Sequence, residues 1–97
     1  MDLQCETLAV DAGVVAAQGY MNGDGGRRIA GRVHELLDSG CERVLVDLEG
    51  TRLVNHNGLD ELRTLCEEVA RRGGWICFCN LTTTVNKAFR IAGLVEA

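Results

Sequence analysis

Apolar residues recur at two spacings along this chain, and the two spacings take turns. Leu3 to Ala9 alternates weakly and predicts a strand. Asp11-Ala12-Gly13 reads as a turn and Val14 to Tyr20 as a second strand, so the opening predicts a hairpin. Asn22-Gly23-Asp24-Gly25-Gly26 reads as a flexible glycine-rich loop before a helix. Ile29, Ala30, Val33, Leu36 and Leu37 then fall on one helical face, and Ser39-Gly40 stops that helix, glycine being suited to the left-handed position after a helix end. Arg43 to Leu48 is a third strand. It is apolar on both faces, which predicts a central strand covered on both sides or deep in a sheet.

A polar loop follows, crowded with Gly50, Asn55, Asn57 and Gly58. Leu59, Leu62, Leu65, Cys66 and Val69 then return at helical spacing. Asn57 is the expected N-cap, with Asp60 and Glu61 in the first turn, where carboxylates complement the positive end of the helix dipole. Arg71-Arg72 sit near the negative end and Gly73-Gly74 break the helix. Trp75 to Cys79 is a fourth strand. Thr82-Thr83-Thr84 offers hydroxyls for a cap, and Val85, Ala88, Phe89 and Ala92 face one way on a last helix that Gly93 ends. The order ββαβαβα predicts an α/β fold: a mixed four-stranded sheet, the later strands parallel, with helices packed mainly on one face. No linker or repeat divides residues 1–97, so one domain is expected.

Composition narrows the function classes. The chain is 46% hydrophobic and 25% charged, which excludes disorder. The net charge is −4 and basic residues cluster only in the pairs Arg27-Arg28 and Arg71-Arg72, so no nucleic-acid partner is expected. No apolar run is long enough for membrane insertion, and the N-terminus has neither the basic nor the apolar segment of a signal peptide. The five cysteines, at 5, 41, 66, 77 and 79, match no secreted disulfide framework, so reduced thiols and a cytoplasmic location are expected. Cys77 and Cys79 would face the same side of a strand, but nothing completes a metal site around them and core packing is the expected role. The loop at 22–26 is neither a phosphate-binding Gly-Lys-Ser/Thr loop nor a dinucleotide fingerprint. No cofactor or metal is expected.

Chemistry concentrates at Asn55-His56-Asn57-Gly58, where a buried strand feeds a helix N-terminus. His56 is read first as a polar residue on a protein-binding surface. An anion-binding or pH-responsive group is the second reading, and a catalytic histidine the third; its neighbours are amides, with no orienting carboxylate and no flanking nucleophile. No enzymatic activity is expected. Gly58 is expected to allow a close backbone approach or an unusual dihedral. His34 reads as a solvated flank, Trp75 as partly buried packing, and Asp47 as a strand-end residue that bonds to loop N–H groups.

The stretch VLVDLEGTRLVNHNGLDEL resembles the strand–Asp-Leu–loop–Asp-Ser-Ser-Gly-Leu–helix signature of the STAS domain, the fold of bacterial anti-sigma factor antagonists and of sulfate-transporter cytoplasmic tails. Gly19-Tyr20-Met21-Asn22 is similar to that family's Gly-Glu-Leu-Asp, and Gly73-Gly74-Trp75 and Ala92-Gly93-Leu94 add to the likeness. In antagonists of the family the first Ser is phosphorylated by the cognate anti-sigma factor kinase, and the phosphate disrupts binding to that kinase. Here His56 stands at the phospho-acceptor position, Asn55 at the preceding Asp, Asn57 at the second Ser and Asn22 at the Asp of the other loop. The resemblance thus implies a protein-interaction module like an anti-sigma factor antagonist, without the usual switch and so a constitutive binder. Its partner-binding loops would be Asn22, Gly23 and Asp24 with Asn55, His56, Asn57 and Gly58. The implied partner is an anti-sigma factor kinase. Alternatives are a small subunit bracing the ATPase of an ABC transporter, and a nucleotide or small-anion sensor. Many antagonists continue with a strand and a helix, whereas only Val95-Glu96-Ala97 follow Leu94 here; an uncovered apolar patch around Leu94 and Val95 predicts a homodimer.

Overall fold

Each alternating segment becomes a strand and each 3.6-periodic segment a helix. The computed structural model describes residues 1–94. The elements are β1 (Asp2–Ala9), β2 (Ala12–Gln18), α1 (Gly23–Asp38), β3 (Arg43–Gly50), α2 (His56–Arg71), β4 (Trp75–Cys79) and α3 (Thr83–Ile91). The sheet order is β1-β2-β3-β4. β1 pairs antiparallel with β2, and β2-β3 and β3-β4 are parallel, with Val15 beside Val46 and Val46 beside Phe78.

That register puts Val15, Ala17, Val44, Val46 and Leu48 on one face of the sheet, where all are buried. Ile29 and Val33 of α1, Leu62, Leu65 and Val69 of α2, and Val85 and Phe89 of α3 cover them in one cluster. Phe78 meets Phe89 edge-on, with ring centroids 5.3 Å apart and planes at 80°. The favoured T-shaped geometry fixes α3 over β4. All three helices therefore lie on the same side.

Several boundaries and roles differ from the sequence reading. The reversal of the hairpin falls on Val10-Asp11, and Ala12 already belongs to β2, which ends at Gln18 rather than Tyr20. Residues 23–26 are not a flexible loop but the first turn of α1. β3 runs two residues past Leu48, so Asp47 lies within the strand. β3 is not covered on both sides: Val44, Val46 and Leu48 are buried, while Leu45 and Asp47 are only half-buried on a face no described element covers. Cys77 and Cys79 lie on that same uncovered face beside Leu45 and Asp47, not in the core. Trp75 is 51% exposed there. At the C-terminal end Leu94 packs against the core, whereas the expected patch at Val95 lies outside the described residues.

Candidate functional site

Two asparagines make the same bond at the starts of neighbouring helices. Asn22 precedes α1 in extended backbone, and its Oδ1 accepts from Gly25 N at 2.8 Å. Asn55 precedes α2 in the same conformation and accepts from Gly58 N at 2.9 Å. Each satisfies a backbone N–H that the helix leaves unpaired. The cap of α2 is thus Asn55 and not Asn57, which is the second helical residue and points to solvent; Asp60 and Glu61 fall beyond the first turn. Thr82 caps α3 from within the expected threonine run, accepting from Val85 N at 3.2 Å.

The two helix starts are bound together. Met21 N donates to Leu53 O at 2.9 Å and Asn55 N donates to Met21 O at 3.0 Å, a short parallel bridge between the two loops. Gly58 fits beneath that bridge: a Cβ there would stand 2.6 Å from Met21 O and 3.1 Å from Asn22 O. Gly26 plays the matching part on α1, where a Cβ would stand 2.7 Å from Glu61 Cβ. Of the two readings of Gly58, close approach is the one realised.

Asn22, Gly23, Asp24, Asn55 and Asn57 come together around a shallow recess of about 470 Å³, completed by Arg27, Asp60 and Glu61. Gly58 is buried under its floor. Arg27 reaches Glu61 at 3.3 Å across it. His56 turns the other way. It is exposed and borders a mainly apolar groove between α2 and α3, with Leu59, Arg63, Ala88, Ile91 and Ala92. Arg63 crosses the end of that groove, donating to Ala92 O at 2.6 Å. The loop 55–58 contains no alcohol. The nearby Thr51 is fully buried, its Oγ1 donating to Ala17 O at 3.2 Å.

Some residues at this end were not singled out from the sequence. Tyr20 and Leu53 are exposed apolar side chains around a second small depression with Gly19, Gly50 and Arg52. Leu53-Val54 is an apolar pair within the polar loop, which is the signal that could have marked it. His34 is not a solvated flank: its Nε2 lies 3.3 Å from Glu68 Oε1 and its Nδ1 accepts from Arg72 at 3.0 Å, tying α1 to α2. Arg72 also holds Asp38 at 2.6 Å. Asp47 accepts from a backbone N–H, but from Glu49 within β3 at 3.0 Å rather than from the loop, and also from Asn80 Nδ2 at 3.2 Å.

Among the described residues, no three His, Cys, Asp or Glu side chains stand together as a metal site. Burial pushes the thiols of Cys5, Cys66 and Cys79 above their ordinary pKa, reinforced at Cys66 by Glu67 and at Cys79 by Asp47. Thiols held protonated are poor nucleophiles. No described helix is long and apolar enough to cross a membrane.

Comparison with known proteins yields one consistent fold. The model of the STAS domain family matches residues 8–97. The anti-sigma factor antagonist SpoIIAA in its unphosphorylated form superposes with a TM-score of 0.79 at 17% identity, over 96% of this chain and 82% of that one. The phosphorylated form of the Bacillus cell fate determinant SpoIIAA gives 0.73 at 16% identity, over 96% and 85%. A sulfate transporter family protein from Wolinella succinogenes gives 0.81 at 13% identity, over 94% and 74%. At these identities the likeness is one of fold. No curated protein matches the chain in sequence.

Proposed function

Because this chain belongs to the STAS domain family, we propose that it is a protein-interaction module of the anti-sigma factor antagonist type that binds its partner constitutively. The observation that carries the proposal is the end of the molecule where Asn22–Asp24 and Asn55–Asn57 meet. Two loops from separate helix starts are locked into one surface by the Met21 bridge and the Gly58 contact, while Asp24, His56 and Asn57 stay exposed to solvent. A surface so braced is preorganised for docking, which lowers the entropic cost of association. Of the departures from the family pattern, His56 and Asn57 are exposed, whereas Asn22 and Asn55 cap the two helices. A Ser/Thr kinase needs an alcohol, and residues 55–58 supply none. Thr51 does not replace it, because its hydroxyl is buried and occupied.

The small-anion reading is weaker on electrostatic grounds. The recess carries the carboxylates of Asp24, Asp60 and Glu61 against the single cation Arg27, which is already held by Glu61. A bound anion would meet net negative charge.

The test uses wild-type and His56→Glu protein as baits in an extract of the source cell, with retained proteins identified by mass spectrometry. A kinase-like ATP-binding protein held by the wild type and lost from the variant supports the proposal, since the new carboxylate adds negative charge to the exposed loop between Asn55 and Asn57, at the border of the recess. A transporter ATPase in its place would establish the second reading. Identical protein sets on both baits would move the interface away from this loop.

A further inference from the structure

We propose that the uncovered face of the sheet is a second docking surface, and that its occupant is a basic amphipathic helix supplied by a partner protein. The helices α1, α2 and α3 all pack on one side, which leaves the other side of β1 to β4 open among the described residues. β2, β3 and β4 are mutually parallel, and parallel sheets are ordinarily covered on both faces. The sequence of β3 is written for such cover, with Leu45 facing away from the core between Val44 and Val46.

The register defines what this face presents. Its apolar part is low in profile: Val14 and Ala16 on β2, Leu45 on β3, and Cys77 and Cys79 on the edge strand β4. Trp75 stands at one end of it, 51% exposed. Carboxylates stand on the two strands that flank β2. On β1 the residues that alternate with core-packed Leu3 are Asp2, Gln4 and Glu6, paired with Gln18, Ala16 and Val14. On β3, Asp47 and Glu49 share a shallow depression with Ala16. Among the described residues none of Asp2, Glu6, Asp47 and Glu49 takes part in an ion pair; the nearest cation on the face, Arg43, is bound to Asp11 at 3.1 Å.

Dimensions and charge select the occupant. The acidic residues of β1 and β3 flank β2 at two strand spacings, about 10 Å apart. An α-helix is about 10–12 Å across with its side chains. A helix lying over β2 would seat an apolar stripe on Val14, Ala16 and Leu45 and bring lysines or arginines on its flanks to the two acidic rows. A second copy of this chain fits poorly, because stacking two such faces would set carboxylates against carboxylates. An anionic membrane is repelled for the same reason.

Trp75 is the only tryptophan, so its fluorescence reports on this face. The probe is a synthetic helix of about 18 residues, about 27 Å long, with a leucine stripe flanked by lysines. Its controls are a scrambled peptide of the same composition and a glutamate-flanked version. The proposal expects saturable binding of the lysine-flanked helix, a shifted Trp75 emission, and little binding of either control. The protein variant Glu6→Lys with Glu49→Lys should weaken the lysine-flanked helix by about tenfold or more and favour the glutamate-flanked one. His56→Glu, at the other site, should leave this binding unchanged. Three results would overturn the proposal. One is equal binding of the scrambled peptide. Another is binding that ignores the charge reversal in a variant whose circular dichroism matches the wild type. The third is light scattering that finds a dimer whose dissociation, on dilution, exposes Trp75; the occupant would then be a second copy.

Discussion

At the scale of single residues, Asn22 and Asn55 show how a short polar signature sets a helix start. Both stand three residues before a glycine, in Asn22-Gly23-Asp24-Gly25 and Asn55-His56-Asn57-Gly58, and both accept from that glycine's N–H. Asn55→Ala should therefore cost about 1 kcal/mol of stability, the usual loss for a removed N-cap. Asn57→Ala should change stability by less than about 0.5 kcal/mol, because its side chain is exposed and caps nothing. Urea denaturation of the two variants checks this pair, and the reverse ranking would return the cap to Asn57. Apolar periodicity begins only after Gly58, so periodicity alone points to Asn57 as the cap. The first turns of α1 and α2 are polar and glycine-rich, so periodicity is silent about them. That silence also turned residues 23–26 into a loop. The location of the site at 55–58 was legible in spite of this, since a buried strand followed by Asn and Gly marks a turn into a helix wherever the cap falls.

At the scale of elements, the glycines have two opposite meanings that only packing separates. Gly58 and Gly26 mark the close approach of α2 to the loop before α1, with no room for a methyl group. Gly31, in the exposed middle of α1, has no neighbour within 4 Å. Gly58→Ala should destabilise the fold by about 1–3 kcal/mol through overpacking, and should weaken partner binding by parting the two loops. Gly31→Ala should stabilise it by about 0.5–1 kcal/mol, since alanine loses less backbone entropy in a helix. Thermal denaturation of both variants measures the contrast; a stable Gly58→Ala protein with intact loops would refute the close-approach argument. The helices were readable because their period is unambiguous: Ile29-Val33-Leu36 and Leu62-Leu65-Val69 admit only a helix. Which side of β3 would be covered was not readable. Val44-Leu45-Val46 offers an apolar residue to either face, and the choice was made by where the connecting helices pack. The pairing of His34 was not readable for a similar reason, as its partners Glu68 and Arg72 lie on and just after a different helix.

At the scale of the whole molecule, three thiols on separate elements shape how the protein responds to alkaline pH. Cys66 is half-buried on α2, and Cys5 and Cys79 lie on the sheet strands, so folding takes all three thiols partly out of water. Desolvation is the main cause of each raised pKa; Glu35 adds to it at Cys5 against the opposing Arg32, Glu67 adds to it at Cys66, and Asp47 and then Cys77 add to it at Cys79. Below the ordinary thiol range, near pH 8.5, these groups are protonated in both states and contribute nothing to the pH dependence. As pH rises through that range, the unfolded chain releases protons that the folded chain still holds. The unfolded state then binds fewer protons, and stability falls with pH until the folded thiols ionise in turn. The expected outcome is a progressive loss of stability between about pH 8 and 10. Replacing all three by alanine should flatten that slope, whatever constant offset the lost packing adds. Urea titrations of both proteins at several pH values provide the measurement, and an unchanged slope would assign the alkaline loss to groups other than these thiols. The outcome bears on the uncovered face as well. A helix seated beside Cys79 would desolvate it further and bring cations to Asp47, and the two effects oppose each other at the thiol. The pH dependence of peptide binding in the wild type, set against the alanine variant, therefore reads how dry that face becomes when it is occupied.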